Sequence, residues 1–481
     1  MKRREAVSWD KGKLSKERSV ERLVSFFGGF QEKMNNVLEK EEILEMKKIM
    51  VIFLTLGLLL GISSIALAQP EISVMTHQLL RVGVYEKLLP EFERMMEEKG
   101  TPVKVKLIVG PTPDTEYKQK LVMDLAVGAG ADVFVVGGTD FPDLVDAGYY
   151  LRLDEYLATW PDFSLHFYSI PKEQVKYKGH WYVIAQGGNV MSLFYRKDIL
   201  RKYGISTAQP KTFDELLDRA REIKSKTGKW ALLYPAGKAW GGGTLGEGFV
   251  PLMMGTEDPL YDWEAEKWIV RSSGLLRVFK FYETVTKEGL MPIEPLLVAE
   301  PWAPLKYRMF PEGDLTITTS GTWAWEFDWG PKGATPIANL FEAVGSWMLP
   351  GTEAPYVLSM TGWTVGINAK TKQPRLAFEL LKFILSAKFR AEESATVGGP
   401  AIRDDAKEYP VYGAKEHLVT DEERLPFAKI FASPPGIDKI ITAVCEATEY
   451  ILIGKMTAEE ALDYFESRAT DLLGAEKVKR I

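Results

Sequence analysis

The chain has 481 residues, of which 46% are hydrophobic and 26% are charged, a composition typical of a folded protein with length enough for two or three domains. Its formal net charge is -6 and it has no basic block, which argues against a nucleic-acid-binding protein. A single cysteine, Cys445, excludes an internal disulfide, so the fold must depend on its hydrophobic core.

Residues 46–68 have the order of a secretory signal peptide. Two lysines precede an apolar run and then Ala-Leu-Ala, which predicts cleavage after Ala68 and an exported, extracytoplasmic protein. The run is shorter than the ~20 apolar residues that cross a bilayer, although a retained anchor stays an alternative. Gln69 stands where lipid attachment would need cysteine, which favours a freely diffusing protein. Residues 1–45 are either a mis-assigned start or a cytoplasmic extension.

The first part of the exported chain alternates strand and helix patterns. A strand is predicted from Glu71, a helix ends near Gly100, a second strand and helix follow, and a buried strand lies within 131–138. Such alternation predicts a parallel sheet covered by helices, with a ligand crevice at the carboxyl ends of its strands. The residues that follow the first and third strands are Thr76, His77, Thr139 and Asp140.

A second α/β unit follows two strand patterns that flank Gly187 and Gly188, which we interpret as a flexible joint. The sequence from Thr212 to Glu215 forms a capping box ahead of an amphipathic helix that ends near Gly228. A later strand runs directly into SGTWAWEFDWG, and Pro350-Gly351 is a further hinge candidate. A second capping box precedes the terminal helix.

Motifs for nucleotide, metal and triad chemistry are weak or missing. The sequence GGGTLG at 241–246 matches a dinucleotide-binding pattern, but six residues separate it from the nearest strand and Pro251 interrupts the expected helix, so a loop carrying Trp240 is the better interpretation. The four histidines are far apart and no metal-ligand pair is present; we predict no metal and no cofactor. A carboxylate pair for glycoside hydrolysis stays open.

Tryptophans supply the positive evidence for a ligand. A tryptophan face matches the apolar face of a sugar ring, while amide and charged groups match its hydroxyls. Trp240, Trp323, Trp325 and Trp363 lie beside glycines or at strand ends, although core packing is an equal alternative for each. On a continued strand Trp323 and Trp325 would share a face. Glu326 and Asp328 are expected to be solvated loop acids.

The segment YKGHWYVIAQGGNVMSLFYRKDILRKYGISTAQPKTFDELL at 177–217 resembles the family 1 extracellular solute-binding proteins of ABC importers, the maltose-binding-protein-like group. LVMDLAVGAGADVFVV, GDLTITTSGTWAW and GWTVGINAKTKQPRLAFELLKFILS are similar to further blocks of that family in the same order, over about residues 70–475. The segment YVIAQGG lacks the proline that usually follows the Tyr-Gly step of the family, and GDLTITTSG has threonines where Ala-Met is common.

The resemblance implies a two-lobed periplasmic-binding-protein fold of type II, with a mostly parallel sheet in each lobe and the ligand between them. It places the N-lobe at 69–186 and 349–398 and the C-lobe at 187–348 and 399–481. It implies no catalysis, a sugar ligand, permease subunits as partners and a monomer; polyamine or glycerol phosphate remain alternative solutes. The ligand-contacting positions it implies are Thr76, His77, Thr139, Asp140, Asn189, Trp240, Trp323, Gly362, Trp363 and Arg403. The strand pattern adds Trp325 as a second platform or as packing behind Trp323.

Overall fold

The structure is a computed structural model that describes residues 44–52 and 69–481. The chain divides into two compact units, Met1–Gln69 and Pro70–Ile481, and residues 44–52 of the first are helical. The cleavage site after Ala68 and most of the segments 1–45 and 46–68 lie outside the described residues. No helix in the described ranges is both long and apolar enough to cross a membrane.

The first lobe is built on a five-stranded sheet. Its strands lie in the spatial order Lys104–Val109, Glu71–Thr76, Val133–Gly137, Trp363–Ile367 and Val183–Ala185. The strand predicted at 131–138 is confirmed, and all four residues Val133–Val136 are buried, as expected for a sheet with both faces covered.

The second lobe is built on a six-stranded sheet. Its strands lie in the spatial order Lys429–Phe431, Leu358–Met360, Val190–Arg196, Leu315–Gly321 and Trp230–Leu233, with Val344–Trp347 also paired to Val190–Arg196. Smaller sheets join Val478–Arg480, Lys267–Arg271 and Tyr261–Asp262, and join Lys176–Tyr177 to His180–Trp181.

Each large sheet contains one strand that runs against the others. These are Trp363–Ile367 in the first sheet and Val190–Arg196 in the second, and each is antiparallel to its neighbours. Both begin directly after the chain has crossed from the other sheet, at 186–189 and at 361–362. Each of these strands starts at the edge of its sheet where the chain crosses over, and it runs away from that edge. The parallel strands run the opposite way, so their carboxyl ends lie at the edge where the chain crosses.

Helices cover both sheets. The α-helices are Leu79–Glu98, Asp114–Ala126, Phe141–Asp146, Asp154–Ala158, Pro161–Leu165, Ser169–Gln174, Lys197–Lys202, Phe213–Thr227, Val250–Met253, Ser273–Lys287, Trp302–Pro304, Phe310–Glu312, Leu340–Ala343, Pro374–Ile384, Ala387–Val397, Pro410–Gly413, Glu416–Arg424, Ile437–Leu452 and Ala458–Leu473. Two π-helical segments are Thr244–Phe249 and Leu305–Met309, and 3₁₀ turns are Glu294–Leu296, Thr322–Trp325, Ala406–Glu408, Leu425–Phe427 and Ala475–Lys477.

The two capping boxes predicted from the sequence differ in outcome. Thr457 and Glu460 form both reciprocal bonds ahead of Ala458–Leu473. Thr212 accepts a bond from the Glu215 amide, but the Glu215 side chain accepts from Lys211 instead of returning to Thr212. The helix after Thr212 ends as predicted on Gly228, whose φ of 69° is left-handed and suits glycine.

Three hydrophobic cores match this architecture. One lies under the first sheet and one under the second. A small third core lies near residues 399–405, and it joins Ala391, Ala395, Ala401, Ala406, Tyr412 and Leu418. Strand Leu358–Met360 lies inside the predicted N-lobe segment 349–398, yet it pairs in the second sheet. The hinge suggested at Pro350-Gly351 is likewise inside the second lobe, because Gly351 pairs with Thr212 there. The other lobe boundaries stay predictions.

Candidate functional site

Strand register shows where the two lobes meet. In the first sheet, Gly137 pairs with Trp363 and Ala185 with Thr364. In the second, Gly321 pairs with Met191. The ends of these strands therefore lie beside the crossing segments, which is where a ligand crevice is expected in sheets of this type.

Trp323 lies at the end of strand Leu315–Gly321, where the backbone turns into a 3₁₀ helix. Its indole folds back over Gly321, and a Cβ at that position would lie 1.7 Å from the indole Cζ3. The side chain is half-buried, and the ammonium of Lys306 lies 5.4 Å from the ring centroid. The indole of Trp323 can therefore occupy this position only because residue 321 has no side chain.

Trp325 has a different environment from Trp323, and the expectation that they share a strand face is wrong. The strand stops at Gly321, so the two side chains leave a helical turn in different directions. Trp325 is 5% exposed and meets Phe194 edge-on at 5.0 Å, which places it in the core. Trp329 is fully buried, and its Nε1 donates to the carbonyl of Lys306.

Trp240 lies in the second lobe after strand Trp230–Leu233. A Cβ at Gly243 would lie 2.1 Å from its Cδ1, so this indole also folds back onto a glycine. It is 6% exposed and meets Trp302 edge-on at 6.4 Å. The expected loop at 241–246 is partly wrong: π-helical backbone begins at Thr244, and Pro251 stands in the first turn of the next helix without interrupting it.

A buried ion cluster lies beneath Trp323. The Lys306 ammonium is 4% exposed and contacts Glu247 Oε2 at 3.1 Å, Asp328 Oδ2 at 2.9 Å and Ser320 Oγ at 2.8 Å. Burial alone lowers the pKa of Lys306, but the carboxylates of Asp328 and Glu247 outweigh burial and hold this pKa above its usual range. The lysine therefore stays charged.

The two acids expected to be solvated are buried. Glu326 is 8% exposed and Asp328 is 1% exposed. Glu326 pairs with Lys415 at 2.5 Å and with His417 at 3.0 Å, whereas Asp328 pairs with Lys306. Because Asp328 has so little exposure, a hydrolytic pair of Glu247 and Asp328 could not reach a substrate in this conformation.

In the first lobe, His77 and Trp363 come together. His77 is fully buried, stacks on Tyr117 at 3.9 Å and meets the edge of Trp363 at 4.6 Å. Its Nε2 is 2.7 Å from Asp114 Oδ1. Burial lowers the pKa of His77, and the bond to Asp114 only partly offsets this effect, so the imidazole is neutral at pH 7.

Thr76 and His77 each keep one polar atom without a partner. Within residues 44–52 and 69–481, neither Thr76 Oγ1 nor His77 Nδ1 has a hydrogen bond, although both atoms are buried. Trp363 is half-buried, and the guanidinium of Arg81 lies 5.2 Å from its ring centroid. Arg81 in turn is held by Glu393 at 2.9 Å and by Gln78 at 2.6 Å.

Asp140 lies on the first-lobe side of the same edge, next to Thr139. Lys118 donates to Asp140 at 2.6 Å. Burial raises the pKa of Asp140, and the charge of Lys118 opposes that rise. Burial and, after it, the negative charge of Asp438 raise the pKa of Asp143. Asp438 belongs to helix Ile437–Leu452 of the second lobe, so the lobes approach each other here.

Asn189 and Gly362 lie together in two of the crossings. A Cβ at Gly362 would lie 3.5 Å from the Asn189 Cβ, and one at Gly138 would lie 2.6 Å from the Gly362 carbonyl oxygen. Asn189 also accepts from the amide of Met360 at 2.9 Å. The loop that holds Thr139 therefore packs directly against the second crossing.

Arg403, predicted as a ligand contact, is instead used internally. It is 2% exposed, binds Asp405 through two nitrogens at 2.5 and 2.6 Å, and donates to the carbonyl of Leu385 at 2.7 Å. A third carboxylate, Asp162, lies at 3.3 Å. Each of its three nitrogens already has an acceptor, and the side chain is almost completely buried, so Arg403 is poorly placed to contact a ligand.

A carboxylate–imidazole group lies beside Arg403. His166 Nδ1 is 2.9 Å from Asp404 and 3.7 Å from Asp405, and within the part of the chain that the structure describes these three could hold a metal ion. The guanidinium of Arg403 already neutralises Asp405. The group is therefore an ion-pair network that links His166 to residues 403–405.

Sequence reasoning missed four residues that surround Trp240, Trp323 and Trp363. These are Glu247, Lys306, Trp302 and Arg81. The chain separation of 59 residues between Glu247 and Lys306 leaves no local pattern for their contact. The glycines close to Trp240 and Trp323 in the sequence were the feature from which this part of the site could be predicted. The structure thus gathers His77 with Trp363, Asn189 with Gly362, and Glu247 with Lys306 and Trp323.

Comparison with known proteins fits this architecture. A maltotriose-binding protein of Pyrococcus abyssi is 27% identical over 133 residues, which are 28% of this chain and 26% of that protein's length. The maltose-bound structure of T. maritima MalE3 superposes with a TM-score of 0.68 at 19% identity, covering 84% of this chain and 100% of that one.

A second solved structure, the sugar-binding protein MalE of Xanthomonas citri, superposes with a TM-score of 0.69 at 19% identity, covering 84% of this chain and 97% of that one. These likenesses confirm the predicted two-lobed fold. Residues 82–391 match the family described as bacterial extracellular solute-binding protein. That match spans more than half of the chain, and the protein belongs to the bacterial extracellular solute-binding protein family.

Proposed function

We propose that this protein binds an uncharged sugar or oligosaccharide between its two lobes and delivers it to the permease subunits of an ABC importer. The supporting observation is the half-buried indole of Trp323, which folds onto Gly321 at the edge of the second lobe, together with the buried indole of Trp240, which folds onto Gly243 in the same lobe. Glycine lets each ring approach the backbone closely, and a tryptophan face offers a sugar ring a large, rigid apolar surface.

The names of similar proteins support a sugar as the solute. The P. abyssi relative is named for maltotriose, and the T. maritima structure contains maltose. Trp363 of the first lobe is half-buried like Trp323 and lies on the opposite side of the crossings. Aromatic side chains on both lobes would let one ligand contact both.

Capture would occur by closure of the lobes. A ligand that touches both lobes stabilises the closed state by its differential affinity for that state. We place the joints at 186–189 and 361–362, where the chain passes between the two sheets, with residues 399–405 as the third crossing. We assign the first lobe to 69–186 and 363–398, and most of the remainder to the second.

Delivery requires that the protein act outside the cytoplasm. The signal-like order of residues 46–68 supports export and release after cleavage, and membership of an extracellular solute-binding family points the same way. We propose that residues 69–481 form the working protein, a monomer that performs no chemistry on its ligand and uses no cofactor.

The proposal is tested on purified residues 69–481 with a thermal-shift panel of mono- to tetrasaccharides. Spermidine and glycerol 3-phosphate serve as non-sugar probes. We expect a sugar to raise the unfolding temperature, because a ligand that binds only the folded state stabilises it, and we expect Trp323→Ala to lose this rise while it keeps its fold.

Three outcomes would contradict the proposal. A panel in which only spermidine or glycerol 3-phosphate raises the unfolding temperature would replace the sugar with another solute. An equal rise in Trp323→Ala and wild type would remove the indole from the site. Release of shorter sugars at catalytic turnover, detected by chromatography of the same samples, would make the protein a hydrolase.

A further inference from the structure

Two π-helical segments meet at one ion pair in the second lobe. Glu247 lies on Thr244–Phe249 and Lys306 lies on Leu305–Met309, and the two side chains are joined at 3.1 Å. A π turn inserts an extra residue into a helix, is rare, and is frequently found at functional sites. The two turns therefore set the positions of the two side chains that meet at this contact.

Lys306 is a positioning residue in this cluster. Its ammonium has three N–H groups, and three oxygens lie within 3.1 Å, one each from Glu247, Asp328 and Ser320. It is 4% exposed. Because it donates to Glu247 and Ser320, pairs with Asp328 and has almost no accessible surface, Lys306 holds the acids in place and does not itself reach a ligand.

Glu247 differs from Lys306 because half of its carboxylate is free. Oε2 is anchored by Lys306, whereas within residues 69–481 no hydrogen-bond donor engages Oε1. The side chain keeps 16% exposure. A Cβ at Gly243 would lie 3.4 Å from Oε1 and 2.4 Å from the Trp240 Nε1, so the free oxygen lies beside the glycine on which the Trp240 indole rests.

The cluster carries an excess of negative charge. Two carboxylates face one ammonium, and the Ser320 hydroxyl adds no charge. Close to a tryptophan and largely out of water, such a carboxylate makes strong hydrogen bonds with neutral O–H donors. The same excess repels an anionic ligand, because the repulsion is poorly screened in a partly buried site.

We propose that Glu247 is a specificity-determining residue: its free Oε1 accepts a hydrogen bond from a hydroxyl of an uncharged sugar, and its charge excludes anionic solutes. This inference rests on the proposed function and names the solute class that the same site selects. Lys306 and the two π turns fix the carboxylate so that its free oxygen points to the ligand beside Trp240.

The test compares wild type with Glu247→Gln by isothermal titration, using maltotriose, galactose and glucose as neutral probes. The matched control is Glu264→Gln, an exposed acid of the same lobe. We expect Glu247→Gln to weaken binding of whichever neutral probe wild type takes by about 10- to 100-fold, the range for a lost bond to a charged group, with no change in the control.

A second measurement uses wild type alone, in case Glu247→Gln folds poorly. Galacturonate and glucuronate are titrated beside galactose and glucose at low salt, and we expect the anionic member of each pair to bind at least about 10-fold more weakly. Equal affinity within a pair, or unchanged affinity in a folded Glu247→Gln, would overturn the role of Glu247. Failure of wild type to bind any neutral sugar would overturn the proposed function as well.

Discussion

Gly321→Ala tests the placement of Trp323 without touching the indole. The added Cβ would lie 1.7 Å from Cζ3, 2.1 Å from Cε3 and 2.4 Å from Cη2 of Trp323. Ordinary van der Waals contact begins at 3.4 Å, so the ring must withdraw by about 1.7 Å. The backbone at 321 has φ of -83°, which alanine adopts freely, so no backbone strain is added.

The magnitude follows from the loss of a stacked contact. Displacing a central tryptophan platform removes about 1.5–3 kcal/mol of binding free energy, within the range seen for aromatic anchors at binding sites. We therefore expect the dissociation constant for the sugar bound by wild type to rise by about 10- to 150-fold. Trp323→Ala sets the upper limit of the effect, because it removes the ring altogether.

The assay is isothermal titration, with the unfolding temperature of the ligand-free protein measured in parallel. Gly242→Ala is the matched control, since a Cβ there meets nothing within 4 Å. A folded Gly321→Ala with the affinity of wild type would show that Trp323 can move without consequence for the ligand, and would contradict its role as a ligand contact.

Three further outcomes are expected. Gly243→Ala should displace Trp240 and weaken sugar binding about tenfold or more, whereas adjacent Gly242→Ala should bind as wild type does in the same titration. Arg403→Met should lower the unfolding temperature, since the partly buried carboxylate of Asp405 loses its partner and the carbonyl of Leu385 loses its donor, at a cost of about 1–3 kcal/mol, but leave affinity within about twofold; a large loss of affinity would return Arg403 to the ligand site. Burial raises the pKa of Asp421 from 3.8 to about 7, against the pull of Arg424, so the folded state binds more protons between these values and stability falls as pH rises through about 4 to 7, by at most about 4 kcal/mol. Asp421→Asn should flatten that fall in urea titrations at pH 5 and pH 8, and an equal fall in both proteins would show that Asp421 is not its cause.

The fold could be predicted because its signals are local. Alternating strand and helix patterns and the capping boxes involve residues a few positions apart, and short connections force neighbouring strands to run parallel. The second lobe and its sheet were predicted from the segments that resemble the solute-binding family. The strand at Leu358–Met360 was assigned to the wrong lobe, because nothing in three residues shows on which side of a crossing they pair.

The candidate site was predictable only in part. A tryptophan beside a glycine was readable at Trp240 and Trp323, because glycine permits a close approach that no other residue allows. The strand pattern gave Trp325 the same face, yet the backbone turned at Gly321 and sent it into the core. The prediction for Asp328 failed for another reason: its partner Lys306 is 22 residues away, and the pairing exists only after folding.

The most direct measurement is a calorimetric titration of residues 69–481 with maltose and maltotriose, followed by chromatography of the cell contents. We expect saturable binding of one sugar molecule per chain, with the sugar recovered intact. Heat that shows no saturation with any neutral sugar of the panel, or recovery of shorter products, would contradict it.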